Sequence, residues 1–321
     1  MNNYFARFLI KLLISFGIGF FFIWWVFRNV EISEVRELRS QVDPYAVFAA
    51  IASYASAIAL RIYRWKKLLS PFASLTFWQI GRALIVGHAM NIILPARLGE
   101  FFRVNICKSW YSVPRSAALA TVVWERVADG MIVVSCLIMG AVFLSDFRTQ
   151  REIQGLMCGG TAIFASAAFG LFILRKISID RFFTRWPSLS TRIHIFQKGV
   201  QDLPFSALAQ MMGLSLLIWS FEGLSLWALV KASGTTLHAM HTSLLIGVVS
   251  LSTLLPSPPG FLGTMQFAFA IALLAAGSTA SVGVLAATMN QIFLLGSLTL
   301  FGTIVLCWVS VKNKVLNFRK S

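Results

Sequence analysis

The chain has 321 residues, of which 57% are hydrophobic and only 12% charged, and its formal net charge is +16. A soluble domain carries roughly 25% charged residues, so this composition leaves too little polar surface for a water-soluble globule and excludes that class. The basic residues are spread over several short loops with no recognisable nucleic-acid module; they fit the basic bias of cytoplasmic loops in a membrane protein, and no nucleic-acid partner is expected.

Apolar segments fall at 8–27, 44–63, 79–94, 98–107, 117–144, 155–174, 206–230, 242–255, 261–277 and 281–310. The first follows Arg7 and Lys11 and ends in Trp24, Trp25 and Arg28 without a small-residue cleavage pattern, so a retained transmembrane helix is expected rather than a signal peptide. Six segments reach the length of about 20 residues that spanning requires. The other four (79–94, 98–107, 242–255 and 261–277) are too short and form two adjacent pairs. Each pair is split by a proline-glycine stretch, Pro95-Ala-Arg-Leu-Gly99 and Pro256-Ser-Pro-Pro-Gly260. Two half-length helices around a breaker predict a re-entrant hairpin or a discontinuous helix.

Loop charge orients these elements. Arg64, Lys66 and Lys67 follow 44–63. Arg175, Lys176, Arg181, Arg185, Arg192 and Lys198 lie in the loop at 174–205, and Lys312, Lys314, Arg319 and Lys320 in the tail. All should be cytoplasmic, while the mixed loops at 28–43 and 145–154 should face outward. With both termini inside, every basic loop lands inside only if each short pair enters and leaves on one face. The first pair, bounded by Arg82, Arg103, Lys108 and Arg115, then dips from the cytoplasm, and the second from outside.

The two breakers also resemble each other, Asn91-Ile-Ile-Leu-Pro95-Ala-Arg-Leu-Gly99 against Ser252-Thr-Leu-Leu-Pro256-Ser-Pro-Pro-Gly260, at an offset of about 160 residues. Each half has the order span, hairpin, span. The expected fold is therefore all-α: a single polytopic membrane domain over 1–321, with about six spanning helices and two re-entrant hairpins in an inverted repeat of halves 44–144 and 206–310. Coincidence between two Leu-Pro-x-x-x-Gly strings in a leucine-rich chain is the competing explanation.

Ionisable groups inside hydrocarbon are costly and are functional candidates by default. In the first tip Pro95 ends a half-helix, Gly99 permits close approach, and Arg97 is suited to bidentate phosphate contact. Asn91, Glu100 and Arg103 lie beside it; alternatively Arg97, Glu100 and Arg103 pair with each other and hold the hairpin. Glu125 and Asp129 share a helix face and Arg126 can pair with Asp129, forming a cluster near the first tip or, alternatively, a solvated patch at headgroup level. Glu222 is the lone acid of its span and must face protein or a wet cavity. In the second tip Pro256, Pro258 and Pro259 free backbone groups, Gly260 and Gly263 allow the turn, and Gln266 follows.

The remaining polar residues carry less. Cys107, Cys136, Cys158 and Cys307 are isolated and read as small buried hydrophobes. His88, His194, His238 and His241 form no metal motif, and no metal or cofactor is expected. Trp24, Trp25, Trp65, Trp78, Trp110 and Trp308 stand at span ends as interface anchors.

The ordered set Asn91, Leu94-Pro95-Ala96-Arg97-Leu98-Gly99-Glu100, Arg103, then Glu125-Arg126 and Asp129, then Leu255-Pro256-Ser-Pro-Pro259-Gly260 and Gly263 resembles the lysylphosphatidylglycerol synthase transmembrane-region family. This family is also called flippase-like and includes UPF0104-type inner-membrane proteins. The resemblance covers most of the chain. It implies a polytopic protein that moves or presents lipids, without the soluble aminoacyl-transfer domain, for which 321 residues leave no room. Phe261 and Gln266 stand where the family often has a glycine and an acid, so a carboxylate that could meet a cationic headgroup is missing there.

The expected function is translocation of a lipid or lipid-linked substrate, such as a polyprenyl- or hopanoid-type lipid, in the bacterial inner membrane. Arg97 and Arg126 would hold phosphate, with Glu100, Glu125, Asp129 and Glu222 balancing them. The rivals are a membrane-embedded transferase acting on a lipid carrier and a non-catalytic envelope assembly factor.

Overall fold

A computed structural model describes residues 16–26, 28–94, 98–143, 151–177, 187–201 and 203–318. Pro95 and Arg97, the centre of the first tip, lie outside the described residues.

Thirteen helices follow in order among the described residues: α1 Phe16–Val26, α2 Ile32–Ser40, α3 Pro44–Leu69, α4 Phe77–Ile93, α5 Gly99–Tyr111, α6 Arg115–Val142, α7 Arg151–Lys176, α8 Pro187–Gln201, α9 Phe205–Ala232, α10 Ala239–Ser252, α11 Thr264–Ala275, α12 Ala280–Met289 and α13 Ser297–Phe318. No strand occurs among them. A π-helical stretch, Asn290–Gly296, joins α12 to α13. Four helical stretches are long and apolar enough to cross a membrane: Pro44–Leu69, Ile153–Lys176, Ser206–Ala232 and Ala280–Val309. Helix α6 matches them in length at 28 residues but carries Glu125, Arg126 and Asp129 in its middle. The described part of α1 is shorter.

Local chemistry sets the helix starts. Asp43 accepts from the Tyr45 N–H with Pro44 at the first helical position of α3. Thr76 and Gln79 form a reciprocal capping box on α4. Thr279 caps α12, and its own hydroxyl donates to Glu34 of α2 at 3.0 Å.

The two breakers do what their residues dictate. Helix α4 ends at Ile93 and α5 folds back along it. That approach depends on two glycines: a Cβ on Gly99 would sit 2.0 Å from the Gly87 carbonyl oxygen. Between α10 and α11 the chain makes a single 3-10 turn, Pro259–Phe261, in which Gly260 and Phe261 have φ of 74° and 58°. Helix α1 seats on this second tip. Phe22 stacks on Phe267 with centroids 4.5 Å apart, and a Cβ on Gly263 would fall 2.6 Å from the Gly19 carbonyl.

Packing between helices follows a regular exchange. Helix α3 runs against α9; α4 packs on α13 while α10 packs on α6; and α5 lies on α4 as α11 lies on α10. Swapping α3, α4, α5 and α6 for α9, α10, α11 and the α12–α13 stretch reproduces the same set of pairings.

Three expectations need correction. Arg64, read as a loop charge, is inside α3 and 1% exposed. Trp65, read as an interface anchor, is fully buried; its indole donates to the Thr121 hydroxyl at 3.0 Å. Cys158 and Cys307 are exposed rather than buried. In addition, the stretch read as a loop at 174–205 contains α8, which lays Phe196, Gln197 and Val200 against α6 and α7 and leaves Arg192 and Lys198 outside.

Candidate functional site: a buried ion network beside an amphipathic cavity

Four helices bring eight charged side chains together. Helix α3 supplies Arg61 and Arg64, α5 supplies Glu100 and Arg103, α6 supplies Glu125, Arg126 and Asp129, and α9 supplies Glu222. Arg64 is the hub. Its guanidinium takes both oxygens of Asp129, at 2.6 and 2.9 Å, and its Nε donates to Glu125 at 3.2 Å. It also donates to the Ser215 hydroxyl of α9 at 2.5 Å. A fork of donors against a carboxylate is the arrangement that guanidinium geometry favours. Arg103 bonds the second oxygen of Glu125 at 2.6 Å, lies 3.3 Å from Glu100, and covers the Trp65 ring at 4.1 Å. Arg61 pairs with Glu222 at 2.8 Å and Asp129 at 3.5 Å, over the Trp219 ring. Glu125 and Asp129 are thus enclosed by protein, and the solvated-patch reading of α6 does not hold.

Arg126 differs from the others in that its contacts with Glu100 and Asp129 are both 3.5 Å and its side chain is 32% exposed. Its Nε, like that of Arg103, has no hydrogen-bond partner. Arg126 faces a cavity of about 410 Å³ lined by Tyr54, Arg61, His88, Asn91, Asp129, Trp219, Glu222 and Asn290 among its polar side chains. Apolar side chains, Phe164, Leu226, Leu254 and Leu298 among them, share the lining. Asn91 donates to Glu100 at 3.2 Å, and the His88 Nδ1–H donates to the Leu84 carbonyl, leaving Nε2 as the ring's acceptor.

Of the candidates read from sequence, Asn91, Arg126, Asp129 and Glu222 line the cavity. Glu100, Arg103 and Glu125 belong to the network behind it. Arg97 falls outside the described residues. Gln266 does not line the cavity; its carbonyl oxygen accepts from the Gly263 N–H and its amide donates to Gln291 at 2.6 Å, while Gln291 donates to the Gly260 carbonyl at 2.8 Å. Gln266 therefore fastens the second tip. Sequence reasoning missed Arg61, Arg64, Ser215, Trp219, Tyr54 and His88. The available signal was Arg61 and Arg64 spaced three apart inside a helical period, one face toward the acids of other helices.

Position pairs reveal a further regularity. Arg61 and Glu222 are separated by 161 positions, the spacing of Pro95 from Pro256 and Gly99 from Gly260. Shifted by the same amount, Asp129 falls on Asn290, and both line the cavity. Glu100, Arg103, Glu125 and Arg126 fall on Phe261, Thr264, Ala286 and Ala287. Charge is concentrated on one side of an otherwise paired arrangement.

The profile of the family described as "Lysylphosphatidylglycerol synthase TM region" matches residues 8–302. The chain belongs to this family. Among its relatives is a UPF0104 membrane protein of Methanocaldococcus jannaschii, 25% identical over 183 residues, covering 56% of this chain and 76% of that protein. A second UPF0104 membrane protein of the same organism is 22% identical, over 77% of this chain and 80% of its own length. The glycosyltransferase AglD of Haloferax volcanii is 22% identical over 85% of this chain, which spans only 50% of that relative. No solved structure matches. As a member of the lysylphosphatidylglycerol synthase TM-region family with several long apolar helices, the protein is a multi-pass membrane protein.

Proposed function

We propose that this family member translocates a lipid or lipid-linked substrate across the inner membrane of a bacterium, with both termini in the cytoplasm. In this reading α4–α5 and α10–α11 are re-entrant hairpins from opposite faces of an inverted repeat. The observation that carries it is the cavity, whose lining combines arginines and acids with many apolar side chains from helices of both halves. Such a lining suits an amphiphile, since a soluble solute has no use for the apolar walls and a hydrocarbon has none for the ionic groups. Arg126, and Arg97 in the tip, would take phosphate, while the network behind them holds the helices in register.

The test is a leaflet assay in proteoliposomes carrying fluorescent phospholipids or a polyprenyl phosphate. Wild type exposes the inner-leaflet headgroups to a membrane-impermeant quencher; Arg126→Ala slows this by at least about tenfold, as loss of a charge-assisted contact should. Equal quenching in wild-type, variant and protein-free vesicles rejects the proposal.

The relative named as a glycosyltransferase supports a second reading, in which this region serves a transferase acting on a lipid carrier. Incubation with sugar donors and mass analysis of the lipid decides between them: a sugar-sized mass gain that depends on the protein favours the transferase.

A further inference from the structure

Among the described residues the cavity lining holds two arginines and two acids, Arg61 and Arg126 against Asp129 and Glu222. The network behind them is balanced as well, Arg64 and Arg103 against Glu100 and Glu125; Arg97, outside the described residues, is not in this count. Where the charged groups around a cavity are mostly buried, a ligand with a net charge leaves that charge uncompensated, which low dielectric penalises. A headgroup carrying one phosphate and one ammonium preserves the balance and offers a partner to each sign.

The geometry provides separate places for the two. Arg126 has a guanidinium whose Nε is unpartnered and whose acid contacts are long, so it can turn its donors to a phosphate without giving up a tight pair. Glu222 is 20% exposed in its side chain and is held by Arg61 of α3. The other titratable or charged groups facing it are Tyr54 of α3 and Asp129 and Arg126 of α6; α10, also packed on α9, contributes no ionisable residue to the cavity. The Trp219 ring, which already carries the Arg61 guanidinium on one face, stands beside it in the lining.

Ile163 of α7 and Leu254 after α10 line the cavity and are 56% and 44% exposed, so the space is not closed on this side. Phe164 of α7, also in the lining, rests on Gly130, where a Cβ would come within 2.0 Å of its ring. Only 11% of the apolar stretch of α7 is buried. An occupant whose head is in the cavity can therefore leave its chains in the bilayer.

We propose that the cavity binds a zwitterionic phospholipid: its phosphate on Arg126, its ammonium at Glu222, and its acyl chains leaving between α7 and the second tip past Ile163 and Leu254. This rests on the reading that the cavity receives a lipid. The experiment uses the purified full-length protein in detergent, offered equal amounts of phosphatidylethanolamine, phosphatidylglycerol and a polyprenyl phosphate, with retained lipid measured by native mass spectrometry.

Wild type retains phosphatidylethanolamine roughly tenfold over the two anionic lipids. Glu222→Gln makes the lining net positive and moves the preference to phosphatidylglycerol. Arg126→Gln weakens phosphatidylethanolamine without improving phosphatidylglycerol. Ile163→Trp narrows the exit and lowers retention of the dioleoyl form while leaving the dihexanoyl form unchanged; equal loss of both rejects the exit. Preference of wild type for either anionic lipid overturns the zwitterion assignment and leaves the lipid reading standing. Retention of none of the three overturns both. Should Glu222→Gln fail to fold, the wild-type preference and the Arg126→Gln comparison still decide.

Discussion

Arg64 shows why this network resists piecemeal change. Its guanidinium is enclosed by Asp129, Glu125 and Ser215, so removing it takes from two buried carboxylates one of their arginines, leaving Glu125 to Arg103 and Asp129 to the longer contacts with Arg61 and Arg126. Arg64→Met should destabilise the protein by about 3–5 kcal/mol, the cost of breaking a buried pair by deleting one partner. Arg64→Lys should also lose stability, because an ammonium cannot meet both Asp129 oxygens and Glu125 from one place. Ser215→Ala, which removes one bond to a charge, should cost about 1.5–3 kcal/mol. Thermal melting in detergent reads all three, and equal melting temperatures for wild type and Arg64→Met would show the network to be dispensable. At this scale the acids were legible and the bases were not. Glu125, Asp129 and Glu222 stand out as acids inside apolar runs. Arg61 and Arg64 stand next to Lys66 and Lys67, where a long cationic side chain ordinarily reaches the headgroups. Only the packing of α6 and α9 over them shows that they are enclosed.

At the scale of helices, contact is set by where side chains are missing. A Cβ on Gly99 would fall 2.0 Å from the Gly87 carbonyl, and one on Gly140 would fall 2.4 Å from the Leu244 amide nitrogen of α10. Gly213 has nothing within 4 Å. Gly99→Ala and Gly140→Ala should each cost at least about 1–3 kcal/mol through overpacking, whereas Gly213→Ala should be neutral or stabilising by up to about 1 kcal/mol. A melting series on the three variants checks the order. The breakers themselves were readable from proline and glycine. Helices α2 and α8 were not, because α2 is a polar stretch of mixed charge and α8 a polar, basic one, and both have the composition of a loop. The π-helical stretch at Asn290–Gly296 left no sequence mark either; its extra residue changes the face on which later side chains emerge.

For the molecule as a whole, two similar breakers half a chain apart are the sequence's ground for proposing an inverted repeat, and the helices exchange packing partners in a regular way. What the sequence hid was how unevenly charge is divided, since Glu100, Arg103, Glu125 and Arg126 fall on Phe261, Thr264, Ala286 and Ala287. The opposed insertion proposed for the two hairpins predicts a labelling pattern. In a background free of the four native cysteines, Leu98→Cys should react with a membrane-impermeant maleimide from the cytoplasmic side, and Leu255→Cys from the outside. Reaction of both from one side would remove the inverted arrangement.

Under the proposed inverted repeat, the Arg61–Glu222 pair has a consequence for ancestry. Under an exchange of halves these two positions trade places, so in an assembly of two identical copies each would meet its own twin across the axis. Two guanidiniums, or two ionised carboxylates, 2.8 Å apart repel, so a self-associating half-length protein would need a self-complementary side chain there, such as an amide or a hydroxyl. Opposite charge at this point is available only once the two copies are encoded separately and can diverge.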